Sequence, residues 1–479
     1  MFTPLKKVLS APLLTYIAIK SAILYGIRRH QLNLLNRLRN PLITGALLLT
    51  ATGMLSRVIG FFYRIFLSRT IGAEGLGIYQ LIFPVLSLCI AFAASGIQTS
   101  ISRFVAASQT GTKKNAGISF LYAGMIISVL LSFLMCAFII SCSDFLAEAV
   151  LDEPRCAELL QVTAYCLPCA CIHSCVNGYY YGLKRTFVPA FTQLLEQVVR
   201  VVSVYVMYLI TVEHHQTVTP VLAVWGIVCG EFASMLTSVT FLRFYKRDIP
   251  LVKAAQRMAS FAVPLTMNHV ISHLFGSAEA ILIPISLKSF GYCNSDALSV
   301  FGILNGMAIP MVLFPSAIVN SVCVLLLPTV SEIHAKEDYH ALWRAVRKTI
   351  SSCLILGFAC TGGFLLAGNF IGQFVFHNSL AGNFIVILSW ICPFLYLSAT
   401  LSSILHGLGR ASSAFAISLT GCGVRIGVIF FLIPIFGIRS YLYGMLASHL
   451  LTSGLCLYAL LSPSKGVMTA SNHSNSSAL

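Results

Sequence analysis

Charged residues are scarce in this sequence: only 10% of its 479 residues are Asp, Glu, Lys or Arg, and just 15 residues are acidic. Its polar stretches are short loops and a tail, residues 462–479, which leaves no room for a soluble catalytic domain. No Walker A, HExxH or GxSxG sequence is present, so the usual signatures of nucleotide, zinc-dependent and serine hydrolysis are missing. These absences predict that the protein is not an enzyme.

A basic surface for nucleic acid is also missing, although the formal net charge is +16. No basic stretch is interleaved with aromatic residues, as a groove for single-stranded nucleic acid would require. The positive charge is better explained by basic loops that lie beside anionic lipid headgroups. We therefore expect membrane lipids, and no nucleic acid, among the partners.

The sixteen cysteines do not form a disulfide pattern, because most of them fall inside apolar stretches, where cysteine behaves as a small hydrophobe. One cluster, Cys166, Cys169, Cys171 and Cys175, contains a CxxC spacing. A helix within a bilayer is a poor place for structural zinc. We expect no metal and no cofactor.

Long apolar stretches fill most of the chain, which is 57% hydrophobic. The mean hydropathy is +0.86, and stretches of roughly 20 residues match the hydrocarbon core of a bilayer. The composition predicts an all-α polytopic membrane protein with about twelve transmembrane helices. The predicted spans are 43–67, 77–101, 117–141, 158–182, 190–211, 220–242, 258–285, 299–327, 348–368, 381–405, 412–436 and 440–461.

Lysine and arginine alternate between the two sides of this array of spans. Loops after even-numbered spans are basic, whereas the 142–157 loop is acidic, with Asp144, Glu148, Asp152 and Glu153. The positive-inside rule then places both termini in the cytoplasm. The basic loop residues are Lys113, Lys114, Lys184, Arg185, Lys246, Arg247, Lys253, Lys336, Arg344, Lys348 and Arg410.

The two halves repeat at an offset of 225 residues, which aligns Gly77 with Gly302 and Arg200 with Arg425. Six spans in each half give both halves the same orientation, so we expect two six-helix lobes related by a parallel pseudo-twofold axis around a central cavity. The predicted division is a basic interfacial extension (1–42), an N-lobe (43–245), a C-lobe (246–461) and a polar cytoplasmic tail (462–479). Rocking of the lobes would give alternating access.

Arginines inside the spans are the main candidates for substrate binding: Arg57, Arg64, Arg200 and Arg425. A charge in a bilayer costs at least ~2.5 kcal/mol, so those that persist face a bundle interior or a cavity. Arg57 and Arg64, two helical turns apart, share a face and could hold a pyrophosphate. The alternatives are snorkelling to an interface and pairing with Glu196 or Glu231. An electropositive cavity favours an anionic cargo.

The other two arginines differ in their local partners. Glu196 lies four residues before Arg200 and is expected to neutralise it, whereas Gly421 occupies the matching position before Arg425. Arg425 is therefore the stronger cavity candidate in the second half. For ion coupling to H⁺ or Na⁺ the candidates are Glu231, Glu279, His269 and His273, although the two histidines fit a polar cavity lining as well.

Residues 55–80, LSRVIGFFYRIFLSRTIGAEGLGIYQ, resemble the first span and loop of the stage V sporulation protein B group, polysaccharide-type members of the multidrug/oligosaccharidyl-lipid/polysaccharide exporter superfamily. The resemblance covers about residues 43–460. Its further landmarks are FP at 83–84, ISRFVA at 101–106, YYYGLKR at 179–185 and LLPTVSE at 326–332. Lipid II flippases share the pattern Ser56-Arg57-Val58-Ile59-Gly60-Phe61, and the resemblance implies that Arg57 lines a cationic cavity. Those flippases commonly have fourteen spans, and this chain has twelve predicted spans.

The resemblance implies a bacterial cytoplasmic membrane flippase for an undecaprenyl-pyrophosphate-linked oligosaccharide or peptidoglycan precursor, in spore cortex or cell-wall biogenesis. One alternative is a multidrug cation antiporter of the same superfamily, which would need acidic cavity residues. Others are a non-transporting scaffold for cell-wall synthesis enzymes and a glycosyltransferase that uses outer-loop carboxylates such as Asp152.

Overall fold

The fold is given by a computed structural model that describes residues 41–109, 116–242, 249–335 and 339–461. The predicted tail, 462–479, and nearly all of the predicted extension, 1–42, lie outside these residues. Within them the chain is helical and has no β-strand. The main helices are α1 (Pro41–Thr70), α2 (Gly72–Ile90), α3 (Gly96–Ser108), α4 (Ala116–Ser141), α5 (Cys156–Ala164), α6 (Cys166–Gly182), α7 (Phe187–Glu213), α8 (Val221–Thr240), α9 (Leu251–Phe290), α10 (Asn294–Gly302), α11 (Ser316–Ala335), α12 (Tyr339–Phe370), α13 (Ser379–Ser389), α14 (Cys392–Gly407), α15 (Ala411–Phe431) and α16 (Ile438–Leu461).

The predicted all-α membrane architecture is confirmed. Among the described residues nine helices are long and apolar enough to cross a membrane, or up to eleven if each of two bent pairs counts as one span. The bent pairs are α5–α6, with a bend of 43°, and α13–α14, with a bend of 53°. α1 is not one of these, but its 30 residues extend about 45 Å, and it carries three arginines.

One predicted span, 299–327, is divided in the structure. Asn294–Leu313 forms a span that includes a π-helical turn, Ile303–Ala308, and α11 begins afterwards at Ser316. Pro315 lies at the break, where it cannot donate a backbone hydrogen bond to the preceding turn. Apolar residues continue past the break, which is why hydropathy alone joined the two helices.

Helix pairing repeats between the halves. α3 packs on α6 as α11 packs on α14, α7 packs on α8 as α15 packs on α16, and α1 packs on α7 as α9 packs on α15. These matched pairs form the N-lobe and the C-lobe, and they agree with a pseudo-twofold relation of the halves. α9 is shared, because its first half also packs along α3 and α4 of the N-lobe.

The lobes touch most closely where α2 crosses α10. A Cβ on Gly302 would overlap the carbonyl oxygen of Ala73 and the backbone of Gly77, and a Cβ on Gly77 would overlap the carbonyl oxygen of Leu298. We call this end of the molecule the distal end. It contains the Thr70–Gly72 turn and the 142–157 loop, and it lies opposite the end that contains residues 41 and 461. Glycine is required on both helices because the two backbones are in contact.

Gly302→Ala should lower the free energy of unfolding of the purified protein by about 1–3 kcal/mol, and its melting temperature with it. The reason is that the added methyl group meets backbone atoms that cannot rotate away. The matched control is Gly423→Ala, where a Cβ has nothing within 4 Å. Unfolding would be followed in detergent by circular dichroism. Equal melting temperatures for Gly302→Ala and wild type would contradict the close crossing.

Cys293, next to the start of α10 at the distal end, is the single exposed cysteine of the sixteen. If the termini are cytoplasmic, a membrane-impermeant maleimide should label wild type in intact cells, and Cys293→Ser should lose the label. A cysteine placed at Ser474 should react only after the cells are opened. The reverse pattern would mean that the predicted orientation is wrong.

Candidate substrate cleft and buried charge clusters

α1 directs its two predicted site residues, Arg57 and Arg64, toward the C-lobe. Arg57 Nη1 donates to Ser316 Oγ at 3.2 Å, and Arg64 Nη1 donates to the carbonyl oxygen of Asn305 at 3.4 Å. Arg57 is exposed and Arg64 is half-buried. Neither forms an ion pair within the described segments, with Glu196 and Glu231 or with any other carboxylate. Two cations without a counter-charge thus lie on one helix face where the lobes meet.

Arg200 has a different environment, inside the N-lobe. It forms the expected ion pair with Glu196 one turn earlier on α7, and both side chains are largely buried. Glu231 on α8 and His173 on α6 lie beside this pair, with His173 Nδ1 at 3.7 Å from Glu231 Oε2. We call His173, Glu196, Arg200 and Glu231 the N-lobe cluster.

Arg425 was expected to lack an acidic neighbour on its own helix, and in the fold it has one from another helix. Its Nε donates to Glu279 Oε1 on α9 at 2.7 Å, and its Nη1 donates to Ser448 Oγ on α16 at 3.1 Å. Tyr441 Oη also donates to Glu279 Oε1, at 2.6 Å. The expectation of an uncompensated Arg425 is therefore corrected: the guanidinium is neutralised by a carboxylate that is 146 residues away in the chain.

This pair lies in a cavity of about 360 Å³ inside the C-lobe. The polar end carries Glu279, Arg425, Tyr441 and His449, and Asn305, the contact of Arg64, lines the same cavity. The remaining walls are mainly apolar, and they include Ala280, Ile283, Ile309, Val312, Leu313, Leu388, Ile391, Leu395 and Met445.

The two predicted coupling histidines lie on α9, the helix that also carries Glu279. His269 is half-buried and His273 is exposed. In the part of the chain that the structure describes, one group of His, Cys, Asp or Glu residues has ligand atoms close enough to share an ion: His173, Glu196 and Glu231. His173 was missed in the sequence because it lies among the cysteines of α6 with no acidic residue near it along the chain.

At the distal end, polar contacts tie the acidic loop to the C-lobe. Lys288 Nζ donates to Asp152 Oδ2 at 2.7 Å, and Asn294 Nδ2 donates to Glu153 Oε2 at 2.7 Å. Arg155 pairs with Glu153 at 2.6 Å and with Glu74 at 2.8 Å. Burial raises the pKa of Glu153, but hydrogen bonds from Arg155 and Asn294 outweigh it and keep this pKa below its ordinary value. Asp152, the carboxylate of the glycosyltransferase alternative, is held in an ion pair across the lobes.

Glu153→Gln should lower the free energy of unfolding at neutral pH by about 1–2 kcal/mol, because two charge-assisted hydrogen bonds are lost. The folded-state pKa is lowered, so this stabilisation is complete above the ordinary glutamate pKa of about 4.3 and disappears as the pH falls through the folded value. Thermal unfolding of both proteins over a pH series measures the difference. A difference that is unchanged in acid would contradict the assigned contacts.

The architecture defines a class: a two-lobed polytopic membrane protein with the fold of transporters of the MOP superfamily. An inward-facing multidrug resistance MATE family transporter of that superfamily superimposes with a TM-score of 0.70 at 16% identity, covering 89% of this chain and 96% of that chain. Lipid II flippase MurJ in an inward closed conformation gives a TM-score of 0.70 at 13% identity, covering 87% and 88%.

The sequence narrows this class. A family model described as "Polysaccharide biosynthesis protein" matches residues 42–334, more than half of the chain. Stage V sporulation protein B of Bacillus subtilis (strain 168) is 26% identical over 434 residues, which cover 88% of this chain and 83% of that protein. The chain belongs to the polysaccharide biosynthesis protein family.

Proposed function

We propose that the protein is a flippase that moves an undecaprenyl-pyrophosphate-linked oligosaccharide or peptidoglycan precursor across the bacterial cytoplasmic membrane, for spore cortex or cell-wall biogenesis. Family membership supports a role in polysaccharide biosynthesis. The names of two similar proteins, a stage V sporulation protein and a lipid II flippase, support the lipid-linked cargo and the sporulation role. Both termini are in the cytoplasm in this proposal, and the basic loops face the same side.

The observation that carries the proposal is the face of α1 with Arg57 and Arg64. A guanidinium stays charged and binds phosphate oxygens in a bidentate manner, and within the described residues these two arginines have no carboxylate to compete with the cargo. In this hypothesis the two arginines neutralise the pyrophosphate where the lobes meet. The polyprenyl chain stays in the bilayer between the lobes. Exposed apolar side chains on α1 are available to contact it, for example Phe62, which is 64% exposed.

The arginines inside the lobes have a secondary role in this proposal. Arg200 and Arg425 each pair with a carboxylate, so they set the local potential and are less available for direct phosphate binding. Alternating access would then proceed by separation of the lobes at the distal end, where the glycine crossing and the Lys288–Asp152 pair now hold them together. The membrane potential or an ion gradient would return the empty carrier.

A multidrug cation antiporter is the second candidate, because such a transporter shares the fold. That chemistry requires carboxylates free to attract a cationic drug. Glu196 and Glu279 are each held by an arginine, Glu231 is largely buried within the N-lobe cluster, and the uncompensated charges at the line between the lobes are positive. The charge distribution therefore favours the anionic cargo.

Arg57→Ala should reduce translocation by roughly 10- to 100-fold, the effect of losing a charged hydrogen-bond donor to phosphate. Arg57→Lys should retain part of the activity, since the charge remains without the bidentate geometry. The assay is flipping of a fluorescent undecaprenyl-pyrophosphate glycan by purified protein in proteoliposomes, together with complementation of a spore-forming strain that lacks its own copy.

The matched control is Ser316→Ala, which removes the described partner of Arg57 and leaves the guanidinium in place. If Arg57 acts on cargo, this variant should work at nearly the wild-type rate. Full activity of Arg57→Ala at normal abundance would remove the proposed role of the arginine. Normal sporulation with Arg57→Ala, combined with loss after changes in the loops, would favour the non-transporting scaffold.

A further inference from the structure

With His173 neutral, the N-lobe cluster carries more negative than positive charge. Glu196 and Glu231 contribute two carboxylates, and Arg200 contributes one guanidinium that is already bonded to Glu196. The ligand atoms of His173, Glu196 and Glu231 all lie within 4.8 Å of one another. Their side chains are 9%, 14% and 15% exposed, so water compensates little of the excess negative charge.

The equivalent place in the C-lobe is balanced. Arg425 occupies the position that repeats Arg200, and it meets one carboxylate, Glu279. Tyr441 and Arg425 both donate to Oε1 of this carboxylate, so its charge is matched by a fixed cation. The excess acid is thus a property of the N-lobe alone among the described intramembrane pairs.

Unsatisfied polar atoms surround the excess charge. Among the described residues, Glu231 Oε2, Arg200 Nε and the hydroxyl of Tyr63 are buried without a hydrogen-bond partner. Tyr63 on α1 is only 6% exposed and lies close enough to interact electrostatically with Arg200. Buried polar atoms without partners, and a buried uncompensated carboxylate, are costly, which points to a ligand that occupies this site.

We propose that the N-lobe cluster is a proton-binding site in which Glu196 and Glu231 share one proton. Binding converts one carboxylate to a carboxylic acid, which donates across to the other carboxylate and takes the net charge of the cluster from −1 to 0. Neutral His173, held by Thr192 and Asn177 at 3.0 Å and by Ser234 at 3.2 Å, lies with its Nδ1 3.7 Å from Glu231 Oε2. The proposal deepens the transport function above and rests on it for the coupling to cargo, though not for the binding itself.

The remaining titratable neighbours do not supply the missing charge. α6 adds Cys166, Cys169 and Cys171, and α2 and α1 add Tyr79 and Tyr63, all of which are neutral side chains in their protonated forms. A metal ion fits less well than a proton. Divalent cations would be repelled by Arg200, and hard cations prefer oxygen ligands to the His173 nitrogen.

The position of the cluster beside α1 determines whether a bound proton favours or opposes the binding of cargo. Arg64 follows Tyr63 on α1 and interacts electrostatically with Arg200 at the cluster. A cluster with charge −1 attracts Arg64, whereas a protonated cluster leaves its positive charge free for an anion. Proton and anionic cargo should therefore bind cooperatively, and each should raise the affinity for the other by the same factor.

Infrared difference spectroscopy of purified protein in lipid nanodiscs tests the site without any cargo. Over a pH series, wild type should lose one protonated-carboxyl band as the pH rises. Glu231→Gln and Glu196→Gln should both lack this band, and Glu231→Asp, which keeps an acid if the amide variants fold poorly, should shift it. Glu279→Gln, which alters the balanced pair, should retain it.

A band that survives in both amide variants, or no titrating band in wild type, would overturn the proton site. Thermal stabilisation by Na⁺ or Mn²⁺ that Glu231→Gln abolishes would also overturn it, in favour of a metal site. In proteoliposomes, an imposed pH gradient should change glycan flipping in wild type and not in Glu231→Gln. Equal responses of wild type and Glu231→Gln to the pH gradient would refute the coupling of proton and cargo. If wild type shows the carboxyl band but no flipping, the flippase proposal is refuted instead.

Discussion

The contact between the α2 and α10 backbones is the constraint on which the rest of the molecule depends. Gly77 and Gly302 occupy equivalent positions in the internal repeat, and in the fold they meet each other across the two lobes. The pseudo-twofold axis therefore passes close to this contact. Any side chain larger than hydrogen would separate the helices, and the Lys288–Asp152 and Asn294–Glu153 contacts at the same end would then lose their geometry.

The apolar interior imposes a second constraint, because an unpaired charge there is expensive. Each lobe has an arginine at the same repeat position, and in each lobe a carboxylate neutralises it. The carboxylate is Glu196 from the same helix in the N-lobe and Glu279 from α9 in the C-lobe. The exceptions among the described residues are the α1 arginines at the line between the lobes and Glu231 in the N-lobe cluster. A charge that remains uncompensated in a stable membrane protein is better explained by a transported or bound ion than by packing.

Much of the architecture was predictable, since span length and the 225-residue repeat are local or additive properties of the sequence. The Glu196–Arg200 pair was predictable for the same reason, because residues four apart on a helix are neighbours. The Arg425–Glu279 pair was not, and neither was the grouping of His173 with Glu231. Both groupings join side chains on different helices. Hydropathy does not specify how such helices are rotated relative to each other. The roles assigned to Arg57, Arg64, Arg200, Arg425, Glu231, Glu279, His269 and His273 remain predictions.

The sequence by itself determined that this chain is a helical membrane protein built from two similar halves, because a bilayer selects for apolar segments of one length and duplication leaves a readable offset. Apart from the Glu196–Arg200 pair within one helix, tertiary structure alone decided which charges inside the spans are neutralised. Pairing depends on distances of a few ångströms between helices far apart in the chain, and those distances are set by the packing of whole helix faces. In the part of the chain that the structure describes, that packing leaves Arg57 and Arg64 without carboxylate partners while it satisfies Arg425.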